Sequence, residues 1–199
     1  MKKKINLLFL ILTSVGMSSL AQSVEKREFE QSVKMHQVPG QILEYLSPFM
    51  DKAKKVKYFR ESDGENLTWE VKLKFKGRQF SIEFFDNHTL KDIEELVRWK
   101  SLEPEAGVPL NDYFESNYRR FRIKRIQKQY HPGKDVEMTA FIEKVLSADN
   151  LPPSGFEIEA EVRGHDRGDF GFFEYQFDAS FNLVSKRKII PVSDGNLLF

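Results

Sequence analysis

Apolar and polar residues alternate strictly in two stretches of the chain. Between residues 69 and 75, aromatic and aliphatic residues alternate with Glu70, Lys72 and Lys74. Between residues 156 and 162, apolar residues alternate with three glutamates. Successive side chains of a strand point to opposite faces, so each stretch predicts a strand with one buried face and one polar face.

Each of these strands is followed by a returning strand with the same alternation. Residues 80–84 follow a tight turn at 76–78, and residues 173–177 follow a glycine-containing turn. Weaker patterns predict three further strands, at residues 56–60, 121–130 and 183–190. The segment 121–130 would also suit a longer helix, but we favour a strand because it occupies the place of 56–60 in the repeated order.

Three segments carry the one-sided apolar stripe of an amphipathic helix. The first spans residues 38–50 and opens on Val38-Pro39, where proline suits the first helical turn. The second opens on Val108-Pro109 and continues the stripe to Phe121. The third, at residues 136–146, has no counterpart in the first half of the chain.

The repeated order of helix and strands predicts the fold class. We expect an α+β fold of two tandem helix-plus-antiparallel-strand units, with the helices packed on one face of a twisted antiparallel sheet and the other face open to solvent. The expected division is a signal peptide at 1–22, a first unit at 23–100 and a second unit at 101–199 with an insertion at 131–154.

The first 22 residues have the pattern of a secretory signal peptide. Three lysines at 2–4 precede an apolar run at 5–12, and Ser19-Leu20-Ala21 supplies a small-residue cleavage site. No later segment is apolar for long enough to span a membrane. The chain has no cysteine, which excludes a lipid-modified cysteine, disulfides and thiol chemistry. We therefore expect a periplasmic or secreted protein.

The strands and the Val-Pro openings carry a family resemblance. The stretches WEVKLKFKGRQFSIEFFD at 69–86 and FEIEAEVRG with FFEYQFDASFNLVSKRKI within 156–189 resemble PepSY-like, β-lactamase-inhibitor-like domains of bacterial secreted proteins. The resemblance covers most of the mature chain as two tandem copies, and the insertion at 131–154 departs from it. It implies a twisted sheet backed by helices and a binding or inhibitory role toward peptidases or other envelope enzymes.

Residues that would support catalysis are scattered. The four histidines have neither metal-ligand nor triad spacing, and the closest approach to a site is the turn His165-Asp166-Arg167-Gly168-Asp169. No nucleophile-elbow or phosphate-loop motif is present. The full chain has 31 Lys and Arg against 30 Asp and Glu, and the leader removes three lysines, which leaves a net charge near −2 and argues against nucleic-acid binding. We expect no enzyme activity, no cofactor and no resident metal.

The polar face of the predicted sheet mixes charged and aromatic side chains, which suits protein recognition. Its candidate binding residues are Phe59, Lys72, Lys74, Phe85, Glu157, Glu159, Glu161 and Phe172. The alternative is that these charges only keep the sheet soluble. The leading hypothesis is a non-catalytic module that binds a protein or peptide partner in the cell envelope, by this face or by strand addition at 183–190. The other hypotheses are a small metal-dependent hydrolase using the 165–169 turn and a structural subunit of an envelope assembly.

Overall fold

The described residues form a ten-stranded sheet with three α-helices. It is seen in a computed structural model that describes residues 24–26, 29–62, 66–165 and 170–190. The strands are β1 Val24–Lys26, β2 Phe29–Val33, β3 Lys54–Ser62, β4 Leu67–Phe75, β5 Arg78–Phe85, β6 Leu90–Leu96, β7 Arg120–Tyr130, β8 Gly155–Arg163, β9 Phe170–Asp178 and β10 Leu183–Ile189. The helices are α1 Gly40–Met50, α2 Pro104–Asn117 and α3 Met138–Ser147, and single 3-10 turns lie at Met35–Gln37 and Trp99–Ser101.

The strands form one sheet in which chain order and spatial order agree. From β2 to β10 each strand is antiparallel to the next, and β1 pairs in parallel with β10 at the edge. The expected fold class of two tandem helix-plus-strand units is therefore wrong, although the fold is α+β. The physical reason is β7, whose 11 residues pair with β8 and also with β6, from Ile93↔Tyr130 to Leu96↔Gln127. This pairing makes the sheet continuous.

Local predictions agree with the structure more closely than the predicted fold class does. The strand at 121–130 is confirmed by β7, and the alternating stretches lie in β4 and β8. The second helix begins at Pro104, four residues before Val108, because a proline fits its first turn. The sequence pattern alone placed that start at the wrong proline.

One face of the sheet and the three helices enclose two apolar clusters. The first joins α1 and α3 to β4, β5 and β6, and its fully buried members include Ile42, Leu46, Val71, Ile82, Phe84, Ile93 and Ile142. The second joins α2 to β7, β8 and β9, and its fully buried members include Leu110, Phe114, Ile158, Ala160 and Tyr175. The opposite face of the sheet holds the polar side chains that alternate with these residues.

A substitution at Gly155 tests how closely β8 packs against β9. A Cβ atom on this buried glycine would lie 2.4 Å from the carbonyl oxygen of Phe177. Gly155→Ala should lower the free energy of unfolding by about 1–2 kcal/mol, because the backbone of one strand must shift. Gly40→Ala is the matched control, since its added Cβ would meet nothing within 4 Å. Urea unfolding measures both, and equal stabilities of the two variants would contradict this account.

Candidate functional site

A cleft on the polar face is lined by nine consecutive strands. Its volume is about 80 Å³, and its lining residues run from Glu30 on β2 to Arg187 on β10. Nine flat strands would span roughly 38 Å at about 4.8 Å per strand. A cleft of this size can touch all of them only if the sheet curls with its polar face inside. We call this concave surface the polar trough, and it corrects the expectation of a face open to solvent.

Carboxylic acids outnumber cationic groups in the trough. The acids are Glu30, Glu61, Glu70, Glu83, Asp92, Glu94 and Glu157, and the cationic groups are Lys72, Lys91, Arg125 and Arg187. Several of the acids are almost fully removed from water, with exposed fractions of 3% for Glu70 and 4% for Asp92 and Glu94. The curl of the sheet thus concentrates negative charge in a partly dry environment.

Most of these carboxylates have identifiable partners. Glu94 accepts hydrogen bonds from the side-chain amides of Gln127 and Gln129, the latter at 3.0 Å. Glu70 accepts a hydrogen bond from the Ser81 hydroxyl, and its Oε2 lies 3.0 Å from Nζ of Lys72. The trough is therefore an ordered polar network.

The surroundings shift the protonation of the buried acids. Loss of water contact raises the pKa of Glu70, and it raises the pKa of Asp92 and Glu94 well above their ordinary values. The neighbouring carboxylate of Glu83 adds to the rise in the pKa of both Asp92 and Glu94. Burial opposes the charge of Lys91, yet the carboxylates of Glu83 and Asp92 raise its pKa overall. The centre of the trough thus disfavours further negative charge and favours a cation.

Asp92 is the least well satisfied of the acids. Its Oδ1 is buried and has no hydrogen-bond partner among the described residues. Its Oδ2 lies 3.9 Å from Nδ1 of His131, which exceeds a hydrogen-bond distance. The backbone N–H of His131 donates to Oγ of Ser154 at 3.1 Å, so these contacts differ from those of an Asp-His-Ser relay.

The structure brings some of the predicted binding residues together. Lys72 and Glu157 line the trough centre, and the Lys72 ammonium lies 4.6 Å from the ring centroid of the buried Phe59. Glu159 pairs with Arg125 at 3.3 Å on the trough wall. These four predicted residues form one connected surface.

The other predicted residues lie further out. Lys74 lines an adjacent groove of about 240 Å³ together with Lys55, Lys57, Lys72 and Arg125, which makes this end of the trough basic. Glu161 is exposed and pairs with Lys124 at 2.8 Å, Phe172 is half-buried, and Phe85 is exposed. A protein-binding role for the predicted residues stays a prediction.

Sequence reasoning missed Glu83, Asp92 and Glu94. Glu83 lies between Ile82 and Phe84 on β5, and Asp92 and Glu94 flank Ile93 on β6, so strand parity could have assigned them to the polar face. It also missed the exposed Leu96 and Phe170, which share this parity and are 41% and 68% exposed. The alternation carries no information about curvature, so it could not indicate that the acids are buried.

Several predicted features lie outside the described residues. These are the signal peptide at 1–22, most of the His165–Asp169 turn and the tail after residue 190. Within the described ranges, no helix combines the length and apolar character needed to cross a membrane. In the same ranges, one group of acids has the spacing of ligands to a single metal ion, and it lies in the trough at Glu61, Glu70 and Glu83.

Comparisons with known proteins add two neighbours in fold. No family model matches the chain, and no curated protein matches its sequence. A BLIP-like protein from Bacteroides fragilis NCTC 9343 has 13% identity and a TM-score of 0.48, with 79% of this chain and 91% of that chain covered. A DUF2874 family protein from Bacteroides uniformis ATCC 8492 has 9% identity and a TM-score of 0.47, with 76% and 89% covered. Neither comparison bears on the PepSY-like resemblance or on two tandem copies, and neither carries a partner over to this chain.

Proposed function

We propose that this chain is a non-catalytic module that binds a polypeptide partner in the polar trough. The observation that carries the proposal is the concave, continuous polar face, with carboxylates in excess at its centre. Charge complementarity then defines the partner as a surface or segment that presents lysine or arginine side chains to the acidic centre. Inhibition of an envelope or secreted enzyme is one form of this function.

The polar face also carries exposed apolar residues that can act as anchors. Phe85, Leu96 and Phe170 share the polar-face parity and are 42%, 41% and 68% exposed. Protein interfaces commonly combine such apolar anchors with charged groups that fix orientation. The acidic centre would select a cationic side chain, and the exposed apolar residues would contribute contact area.

A capture experiment with a matched control tests this function. The full chain would be used against the envelope fraction and culture medium of its source cells. A double variant, Glu161→Lys with Phe170→Ala, alters two exposed residues of the polar face. Glu143→Lys makes the same charge change on the exposed side of α3. We expect one partner to bind the wild type and the control, with at least tenfold weaker binding to the double variant.

The salt dependence of binding gives a second readout. Complementary charges predict that affinity falls about tenfold or more between 50 and 500 mM NaCl. Equal capture by the wild type and the double variant would place the interface elsewhere. A partner whose affinity does not depend on salt would contradict recognition by the acidic centre.

A further inference from the structure

Three carboxylates of the trough have the spacing of ligands to a single metal ion. Glu61, Glu70 and Glu83 each offer one oxygen atom, and these atoms lie within 4.8 Å of one another. Oxygens that share one Ca²⁺ ion at about 2.3–2.6 Å can be separated by no more than roughly 5 Å. The three residues come from the adjacent strands β3, β4 and β5, so the backbone of the sheet sets their spacing.

A second observation points to a ligand at the same place. Asp92 lines the same cleft, is 4% exposed, and has a buried Oδ1 without a hydrogen-bond partner among the described residues. A buried carboxylate oxygen without a partner is costly, and such atoms are uncommon unless a ligand completes them. Asp92 lies on the next strand, β6, so four adjacent strands contribute carboxylates to this part of the cleft.

Two lysines compete with a cation here. Lys72 lies 3.0 Å from Glu70, and the Lys91 ammonium donates a hydrogen bond to Glu83. The cleft lining as a whole holds seven carboxyl groups and four cationic groups, so acids remain in excess when Arg125 and Arg187 are counted with the two lysines. Glu61 also has an interaction partner of its own. The excess charge is the electrostatic basis for cation binding, and the two lysines limit its strength.

We propose that the polar trough binds one Ca²⁺ ion through Glu61, Glu70 and Glu83, with Oδ1 of Asp92 facing the ion. Calcium fits better than magnesium because it accepts irregular oxygen coordination, whereas Mg²⁺ demands a tight octahedron at about 2.0–2.1 Å. With two competing lysines, we expect a dissociation constant of about 0.1–1 mM, the range of weak extracellular modules. The site does not rest on the partner proposed above.

Isothermal titration and thermal unfolding of the full chain test the site. The probes are CaCl2, MgCl2 and NaCl at equal ionic strength and fixed pH. We expect a saturable Ca²⁺ isotherm near one site per chain, and a rise of about 2–9 °C in the Tm at 5 mM Ca²⁺. Glu61→Gln should weaken binding at least tenfold, because it removes one ligand charge from a half-buried position.

The control variant is Glu143→Gln, which makes the same change at an exposed glutamate of α3, away from the polar face. It should bind Ca²⁺ like the wild type. Circular dichroism establishes that both variants are folded. The proposal is overturned if the wild type gives no isotherm and no Tm shift up to 10 mM Ca²⁺. Equal effects of all three salts, or equal affinities of the two variants, would also overturn it.

Discussion

Phe114→Ala should lower the free energy of unfolding by about 3–5 kcal/mol, in a single transition of the whole molecule. The Phe114 side chain is fully buried at the centre of the second apolar cluster. Its ring centroid lies 5.0 Å from that of Tyr175 and 5.3 Å from that of Phe121. Truncation to alanine leaves a cavity between α2 and the sheet that these rings cannot close.

The single transition follows from the continuous sheet. The pairing of β6 with β7 joins the strands that lie under the two clusters, so loss of one cluster exposes the edge of the other. Arg78 adds a link between strands and helix, because its guanidinium donates to both carboxylate oxygens of Glu95 and to the carbonyl of Ala148. Two tandem units would instead unfold separately.

Tryptophan fluorescence distinguishes these cases. Trp69 packs against the first apolar cluster, and Trp99 packs against the second. In a Trp99→Phe background, the fluorescence of Trp69 therefore reports the unfolding of the first cluster alone. In that background, Phe114→Ala should shift the urea midpoint of Trp69 fluorescence as far as that of far-UV circular dichroism. Phe85→Ala, which truncates an exposed phenylalanine, is the control. An unmoved Trp69 midpoint in the Phe114 variant would indicate two independent units.

The alternation of the sequence predicted strands and faces because both depend on local residue order. The stretches at 69–75 and 156–162 lie in β4 and β8, on the faces that their parity required. The join between β6 and β7 could not be predicted in this way. Strand pairing is a non-local choice, and the repeated pattern favoured a break at the position where the structure continues.

From the sequence, only the face of the sheet that carries the candidate site could be predicted. Parity placed Lys72 and Glu157 on the polar side, and the structure brings both into the trough. It could not show that Glu70 and Glu94 are buried, because burial there results from curling of the whole sheet. Isolated glutamates on a flat strand are solvated, whereas the same residues inside a curled sheet share a small volume.

Asp92→Asn should raise the free energy of unfolding at pH 8 and leave it nearly unchanged at pH 3.5. Burial raises the pKa of Asp92 well above 3.8, and the charges of Glu83, Glu157 and Glu61 add to the rise while Lys91 opposes it. The folded state therefore holds this proton more tightly than the unfolded state. The energetic cost of the ionised Asp92 is absent below the unfolded pKa and develops as pH rises toward the raised one.

Chemical unfolding across this pH range measures the effect. The difference in stability between Asp92→Asn and the wild type should grow as the pH rises above the unfolded pKa of Asp92, and become constant above the raised pKa of the folded state. Asp112→Asn on the exposed side of α2 is the control and should show no such growth. A difference that is constant with pH would assign the change to packing. A stabilising Asp92→Asn variant would indicate that this carboxylate is retained for what it binds, since it weakens the fold that holds it.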